Sequence, residues 1–158
     1  YWAVNKSPAT LATGKLSNII AAAGGDRVVV EITEHAAVED LDVLLMEIDR
    51  LRDLGARIAV DDAGAGYSGL QQIIRLRPDV IKLDMSLTQD VDKDLARRAL
   101  ASAMVQFAHD TNARVVAEGI ETEAEMRTLK NIGVELGQGY HLGRPVLAAL
   151  VLKSVLSA

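Results

Sequence analysis

Two adjacent aspartates, Asp61 and Asp62, stand at the end of the apolar run Ile58-Ala59-Val60 and just before the glycine-rich stretch Gly64-Ala65-Gly66-Tyr67-Ser68-Gly69. Neighbouring carboxylates repel each other and lose hydration when a fold gathers them, and a divalent cation is the usual compensation. The pattern recurs along the chain. Val28-Val29-Val30 leads to Glu31, Val80-Ile81 to Lys82, Val115-Val116-Ala117 to Glu118, Leu136-Gly137 to Gln138, and Trp2-Ala3-Val4 to Asn5. Any one of these residues has an ordinary explanation, as the N-cap of the next helix or as half of an ion pair. Their repetition at the ends of apolar runs points to a single site. Oxygen donors with no cysteine and no paired histidines select Mg²⁺ or Mn²⁺ over zinc. Phosphate chemistry follows: a divalent pair lowers the pKa of an attacking water and clamps a phosphate oxygen, while a lysine neutralises charge building on the phosphorus centre. Lys82 and Asp84 lie two apart on one strand and face the same way, so the acid is expected to orient the amine. His35, His109 and His141 have no partner at ligand spacing and are not expected to take part.

Such residues must be delivered by strands. A strand is expected over Tyr1 to Val4, then a helix carrying Leu11, Leu16, Ile19 and Ile20 that closes near Gly24-Gly25. Arg27 to Thr33 is continuous and β-branched, as in a buried parallel strand. Leu41, Leu44, Leu45, Ile48, Leu51 and Leu54 recur at helical spacing before Gly55, with Glu47, Asp49, Arg50 and Arg52 assigned to the solvated face. The strand from Arg57 delivers the paired acids. A short helix opening near Ser68 stops before Pro78, because proline disfavours a helical residue before it. Strands over Val80 to Asp84, Arg114 to Ala117 and Val134 to Leu136 follow, with a long helix through Leu95 to Ala108 between the first two. Thr122 and Glu125 have the spacing of a capping box, which accounts for Glu125 without chemistry. An apolar helix is expected from Pro145 through Val155. Strict alternation of strand and helix means a parallel sheet with right-handed crossovers. Six units fit an open doubly wound sheet or most of an eight-fold barrel, and both put chemistry at the C-terminal ends of the strands.

Composition narrows the function classes. The 158 residues are 49% hydrophobic and only 3% aromatic, so a core of Val, Ile, Leu and Ala is expected, as in sheets covered on both faces. Seventeen basic against 22 acidic residues give a net charge of −5, and no basic cluster or aromatic platform suggests a nucleic-acid groove. The absence of cysteine removes disulfides and thiolate ligation. No signal peptide or membrane-length apolar run is apparent, and the chain reads as cytosolic, or as the cytosolic module of something longer. Asn5-Lys6-Ser7 matches a glycosylation sequon by chance in a chain of this character.

The glycines also fit the G-x-G-x-x-G dinucleotide fingerprint, with Asp84 placed for a ribose hydroxyl. That reading is set aside. Asp61 and Asp62 would push against a pyrophosphate, and the acids of the other strands would have no task.

The motifs resemble those of the EAL-domain cyclic di-GMP phosphodiesterases, in order and over nearly the whole chain. Val4-Asn5-Lys6-Ser7 corresponds to V-N-x-S, and Glu31-Ile32-Thr33-Glu34 to E-I-T-E. Asp61-Asp62-Ala63-Gly64-Ala65-Gly66-Tyr67-Ser68 corresponds to D-D-F-G-T-G-Y-S, and Lys82-Leu83-Asp84 to K-I-D. Ala117-Glu118-Gly119-Ile120-Glu121-Thr122 corresponds to A-E-G-V-E-T, and Gln138-Gly139-Tyr140 with Gly143-Arg144-Pro145 to Q-G-Y and S-R-P. The resemblance implies an α/β fold of TIM-like (β/α) barrel type, here incomplete with about six parallel strands. It also implies Mg²⁺- or Mn²⁺-dependent hydrolysis of cyclic di-GMP to pGpG. By position, Asn5, Glu31, Asp61 and Asp62 would hold two metals, with Asp61 bridging. Lys82 would contact the nucleophilic water, Glu118 and Gln138 would complete the catalytic shell, and Glu34 would hold the glycine-rich loop. Arg144 and Asp84 would serve the substrate, Arg144 in a guanine pocket. A homodimer and a fused or partner sensory domain are implied as well.

The departures are specific. The Glu-Ala-Leu tripeptide that names the family, whose Glu is a metal ligand, occurs nowhere in the chain. The expectation is therefore a single EAL-type domain over residues 1–158 that lacks its N-terminal portion, with weak or absent hydrolysis in this chain. Ala63 and Ala65 replace Phe and Thr in the loop that links dimerisation to metal binding in the family, and Gly69 replaces a Ser. Two function classes stand: a phosphodiesterase, or a degenerate module that binds cyclic di-GMP or only a protein partner. Retention of the acids and of Lys82 favours the first.

Overall fold

The computed structural model describes residues 2–33, 41–64 and 69–146. Glu34, His35, Tyr1, Ala65 to Ser68 of the glycine-rich stretch and the expected helix beyond Val146 lie outside the described residues. The elements run β1 (Trp2–Lys6), α1 (Pro8–Leu11), α2 (Lys15–Ala23), β2 (Val28–Thr33), α3 (Leu41–Asp53), β3 (Arg57–Ala63), α4 (Gly69–Leu76), β4 (Val80–Leu83), α5 (Met85–Thr88), α6 (Leu95–Asp110), β5 (Arg114–Ala117), α7 (Glu123–Asn131) and β6 (Leu136–Gly137). All strand pairs are parallel, and the six strands form one unclosed sheet in chain order, β1 to β6. No helix among the described residues is long and apolar enough to cross a membrane.

Alternation along each strand divides the sheet into two unlike faces. Val30, Ile32, Ile58, Val60, Ile81 and Leu83 point to the helices and are fully buried against Leu44, Ile48, Leu51, Ile73 and Leu76. On the other face Val29, Val80 and Val116 are only half-buried. Ala3, Arg57, Arg114 and Leu136 line a cleft of about 150 Å³ there with Glu31, Lys82 and Gln138. The expectation of two covered faces therefore holds for one. The second face carries charge, and no described helix lies over it.

Local chemistry explains the remaining differences. The first expected helix is two: Ser7 caps α1 through the Thr10 N–H with Pro8 in its first turn, and Gly14, at φ 68°, turns the chain into α2. Glu47 is buried, not solvated, because it shares the 44-47-48-51 face of α3. Arg52 crosses to α4 and donates to the carbonyls of Leu76 and Arg77, capping that helix. The strand expected to run through Asp84 stops at Leu83, since Asp84 turns to become the N-cap of α5, its Oδ1 accepting from the Ser86 N–H at 2.9 Å. The capping box of α7 forms as expected: Thr122 accepts from the Glu125 N–H, and Glu125 accepts from the Thr122 N–H.

Candidate active site

Parallel pairing brings the strand ends together, and the register decides which side chains meet. Asn5 is paired with Glu31 across β1 and β2, and Thr33 with Asp61 across β2 and β3. Between β3 and β4 the register slips: Val60 is opposite Ile81 but Ala63 is opposite Leu83, so Asp61 and Asp62 together face Lys82. This is a bulge, two residues against one, and Asp62 adopts φ 59° within it. In a regular strand adjacent side chains point to opposite faces. The bulge lets both acids reach one place, and oxygens of Asp61, Asp62 and Glu118 all lie within 4.8 Å of one another. A left-handed conformation at a non-glycine residue costs about 1–3 kcal/mol and is found where a site requires it.

Lys82 is the centre of the cluster. Its Nζ lies 2.7 Å from Glu118, 2.8 Å from Asp61 and 3.2 Å from Glu31, so carboxylates in or just after three other strands converge on one ammonium. Lys82 and Asp61 are each 8% exposed. Burial opposes the lysine's charge, but hydrogen bonds and attraction from Asp61 and Glu118 outweigh it and hold the amine above its ordinary pKa. Glu118 is also raised, first by burial and then by the nearby charges of Asp61 and Glu31, against the pull of Lys82. Both shifts are upward, which favours the charged form of the lysine and the neutral form of the glutamate. Lys82 stays charged among its carboxylates, and burial, helped by the charges of Asp61 and Glu31, makes Glu118 take up a proton more readily than an isolated glutamate.

The rest of the rim supports these groups. Gln138 donates to Glu118 at 2.6 Å, its own N–H donates to the Ala117 carbonyl, and Asn5 donates to Asp61 at 3.5 Å. Asp84 is elsewhere engaged as the α5 cap, and the Lys82 amine takes the carboxylate contacts above from Glu31, Asp61 and Glu118, so the expected pairing of Lys82 with Asp84 is not the one formed. Arg144 stacks 4.5 Å over the Tyr140 ring. Both border a cavity of about 670 Å³ that also includes Gln138, Met85 and Pro145. His141 pairs with Glu123 at 3.1 Å and His109 with Asp110, away from the cluster.

As a donor set the cluster suits a hard divalent cation. Asp61, Asp62, Glu31 and Glu118 offer carboxylate oxygens and Asn5 an amide oxygen, the ligands Mg²⁺ and Mn²⁺ take. A second acidic group, Asp90, Asp92 and Glu125, has oxygens equally close together. Sequence reasoning missed the bulge, the stacking of Arg144 on Tyr140 and the buried Thr88 whose hydroxyl donates to the Glu118 carbonyl. The bulge had a signal in the doubled acid, since both carboxylates cannot serve one face of a regular strand.

The EAL domain family model matches residues 2–145. The bifunctional diguanylate cyclase/cyclic di-GMP phosphodiesterase MucR of Pseudomonas aeruginosa is 37% identical over 127 residues, covering 80% of this chain and 18% of its own length. The manganese/cy-diGMP complex of Klebsiella pneumoniae BlrP1 superposes with a TM-score of 0.81 at 36% identity, covering 90% of this chain and 38% of that one. The EAL domain of Mycobacterium smegmatis DcpA gives a TM-score of 0.91 at 28% identity, over 98% of this chain and 72% of that one. The chain thus spans less than a fifth of the length of the curated relative named above.

Proposed function

This chain belongs to the EAL domain family, and from that premise we propose that it hydrolyses cyclic di-GMP to linear pGpG with the help of Mg²⁺ or Mn²⁺. The observation that carries this reading is the convergence of Glu31, Asp61 and Glu118 on Lys82, with Asp62 turned into the same place by the bulge. A relative named as a cyclic di-GMP phosphodiesterase and a neighbour described as a manganese/cy-diGMP complex support it. Asn5, Glu31, Asp61 and Asp62 are the residues that would hold the metals in this proposal. A divalent cation held by these residues would lower the pKa of a water and offset charge on the phosphate.

The chain's own residues do the rest. Lys82, kept protonated by its carboxylates, donates to the water that attacks phosphorus and neutralises the negative charge that builds there. Glu118 fixes the ammonium, and Gln138 fixes Glu118. The attacking water adds its oxygen to phosphorus and gives up a proton to solvent, the bond to the ribose 3′ oxygen breaks, and that oxygen takes up a proton from solvent and leaves as a hydroxyl. Arg144, preorganised by stacking on Tyr140, and Asp84 at the head of α5 serve the nucleotide, and Glu34 holds the glycine-rich loop. A homodimer, a fused or partner sensory domain and a cytoplasmic location complete the proposal.

The test is cyclic di-GMP turnover in Mn²⁺ by the chain and by its Lys82→Ala and Asp61→Asn variants, with product separated by chromatography. The reading expects weak pGpG formation by the parent, whose sequence holds no Glu-Ala-Leu ligand, and its loss in both variants. Binding of cyclic di-GMP by the parent without pGpG would favour the binding module instead. Equal turnover in all three would show the site assignment to be mistaken.

A further inference from the structure

We propose that Thr88 is a positioning residue for Glu118, acting through that residue's backbone. The inference rests on the reading of the Lys82 cluster as a metal-dependent site. Thr88 closes the short helix α5 and is fully buried. A hydroxyl in such a place must find a partner, and its proton has two acceptors in reach. One is Met85 O of its own helix at 3.4 Å, and the other is the closer carbonyl of Glu118, thirty residues away. The Glu118 turn therefore rests on α5. Gly119 makes the approach feasible: it sits at φ 66°, and a Cβ there would come within 2.7 Å of the Met85 Cβ.

Hydrogen bonds beyond its strand pin the turn, among them the His141 N–H to the Ile120 carbonyl. The Glu118 N–H donates to Leu83 O, the Ile120 N–H donates to Gln138 O, and the Glu118 carbonyl accepts from Thr88. The backbone bonds restrain the ends of the turn, and only the Thr88 bond takes hold of the Glu118 carbonyl itself. Peptide orientation at that point aims the carboxylate at Lys82 and Gln138, 2.7 and 2.6 Å away. A chain of contact thus runs from a buried hydroxyl to an acid that positions Lys82 and offers a carboxylate oxygen to the cluster.

The experiment compares Thr88→Val, which keeps the shape and removes the donor, with Thr88→Ser, which keeps the donor. A third variant, Val91→Ala, removes apolar contact from the fully buried position just after α5 and serves as a purely structural control. Mn²⁺ binding is read by calorimetry, and exchange of the Glu118 and Ile120 amides by mass spectrometry. Thr88→Val is expected to weaken Mn²⁺ binding about tenfold, the scale for outer contacts that orient a ligand, while Thr88→Ser binds like the parent. Exchange of the two amides should quicken about tenfold in Thr88→Val alone, as local opening becomes easier. Parental Mn²⁺ affinity in Thr88→Val, failure of Ser to rescue, or an equal loss of affinity in Val91→Ala would overturn the proposal. Should the parent itself bind no Mn²⁺, the metal reading fails, and the exchange rates alone decide: faster exchange in Val but not Ser upholds Thr88, and unchanged exchange overturns it.

Discussion

Two acidic clusters of the same size lie on this fold, and their surroundings differ in kind. Asp61, Asp62 and Glu118 gather around Lys82 and two side-chain amides, on the charged face of the sheet. Asp90, Asp92 and Glu125 gather at the start of α7, where Glu125 is saturated by backbone donors: the N–H groups of Asp90 at 2.9 Å, Glu121 at 3.0 Å and Thr122 at 2.9 Å. Lys93 holds Asp90 from the solvent side. In the second cluster the Glu125 charge joins the α5–α6 turn to the loop before α7, and one buried oxygen of Asp92 has no hydrogen-bond partner among the described residues. In the first the charge is met by side chains, the Lys82 ammonium and the amides of Asn5 and Gln138. Proximity of carboxylates marks a candidate, and the type of partner separates chemistry from scaffolding.

The largest effect should come from removing the cation of the first cluster. Lys82→Met leaves three carboxylates without their shared ammonium. Hydrolysis of cyclic di-GMP should fall by about 10²–10³, the scale for losing one preorganised donor to developing charge. Unfolding in urea with EDTA should show a loss of about 3 kcal/mol, since buried charges then stand uncompensated.

In the second cluster the effect should be on stability alone. Glu125→Gln weakens charge-assisted bonds to backbone donors and is expected to cost about 2 kcal/mol, with Mn²⁺ binding unchanged. Burial alone would raise the Glu125 carboxyl, yet the N–H groups of Asp90, Glu121 and Thr122 hold it below the usual value. A depressed folded pKa gives stability that is present above the unfolded value of about 4.3 and lost as pH falls through the folded one. The gap between parent and Glu125→Gln should therefore close on acidification below about pH 4, as followed by denaturant midpoints. Glu118 has the opposite sign: raised in the fold, its ionisation weighs against stability as pH climbs through that raised value. The smallest effect belongs to Lys93→Ala, an exposed partner of an exposed acid, which should leave the unfolding midpoint unchanged.

The two clusters were unequally legible. Apolar runs ending in Asn5, Glu31, Asp61, Lys82, Glu118 and Gln138 already marked the first, because parallel strands bring their C-terminal ends together whatever the details of register. The Thr122 to Glu125 spacing likewise marked the capping box. The bulge escaped, since it depends on pairing between β3 and β4 and not on β3 alone. Helix α5 escaped because four residues carry no period, and with it went the role of Asp84 as a cap and the buried hydroxyl of Thr88. Glu47 was misread as solvated because its charge outweighed its position on the buried face of α3. Asp90 and Asp92 offered no signal, as their nearness to Glu125 arises from tertiary packing.

The account is tested most directly by calorimetric titration of Mn²⁺ into the chain and into its Asp61→Asn and Asp92→Asn variants. It predicts that Asp61→Asn loses high-affinity binding while Asp92→Asn binds as the parent does. Binding that survives in Asp61→Asn and disappears in Asp92→Asn would place the metal at the other cluster and contradict the assignment of the Lys82 rim as the active site.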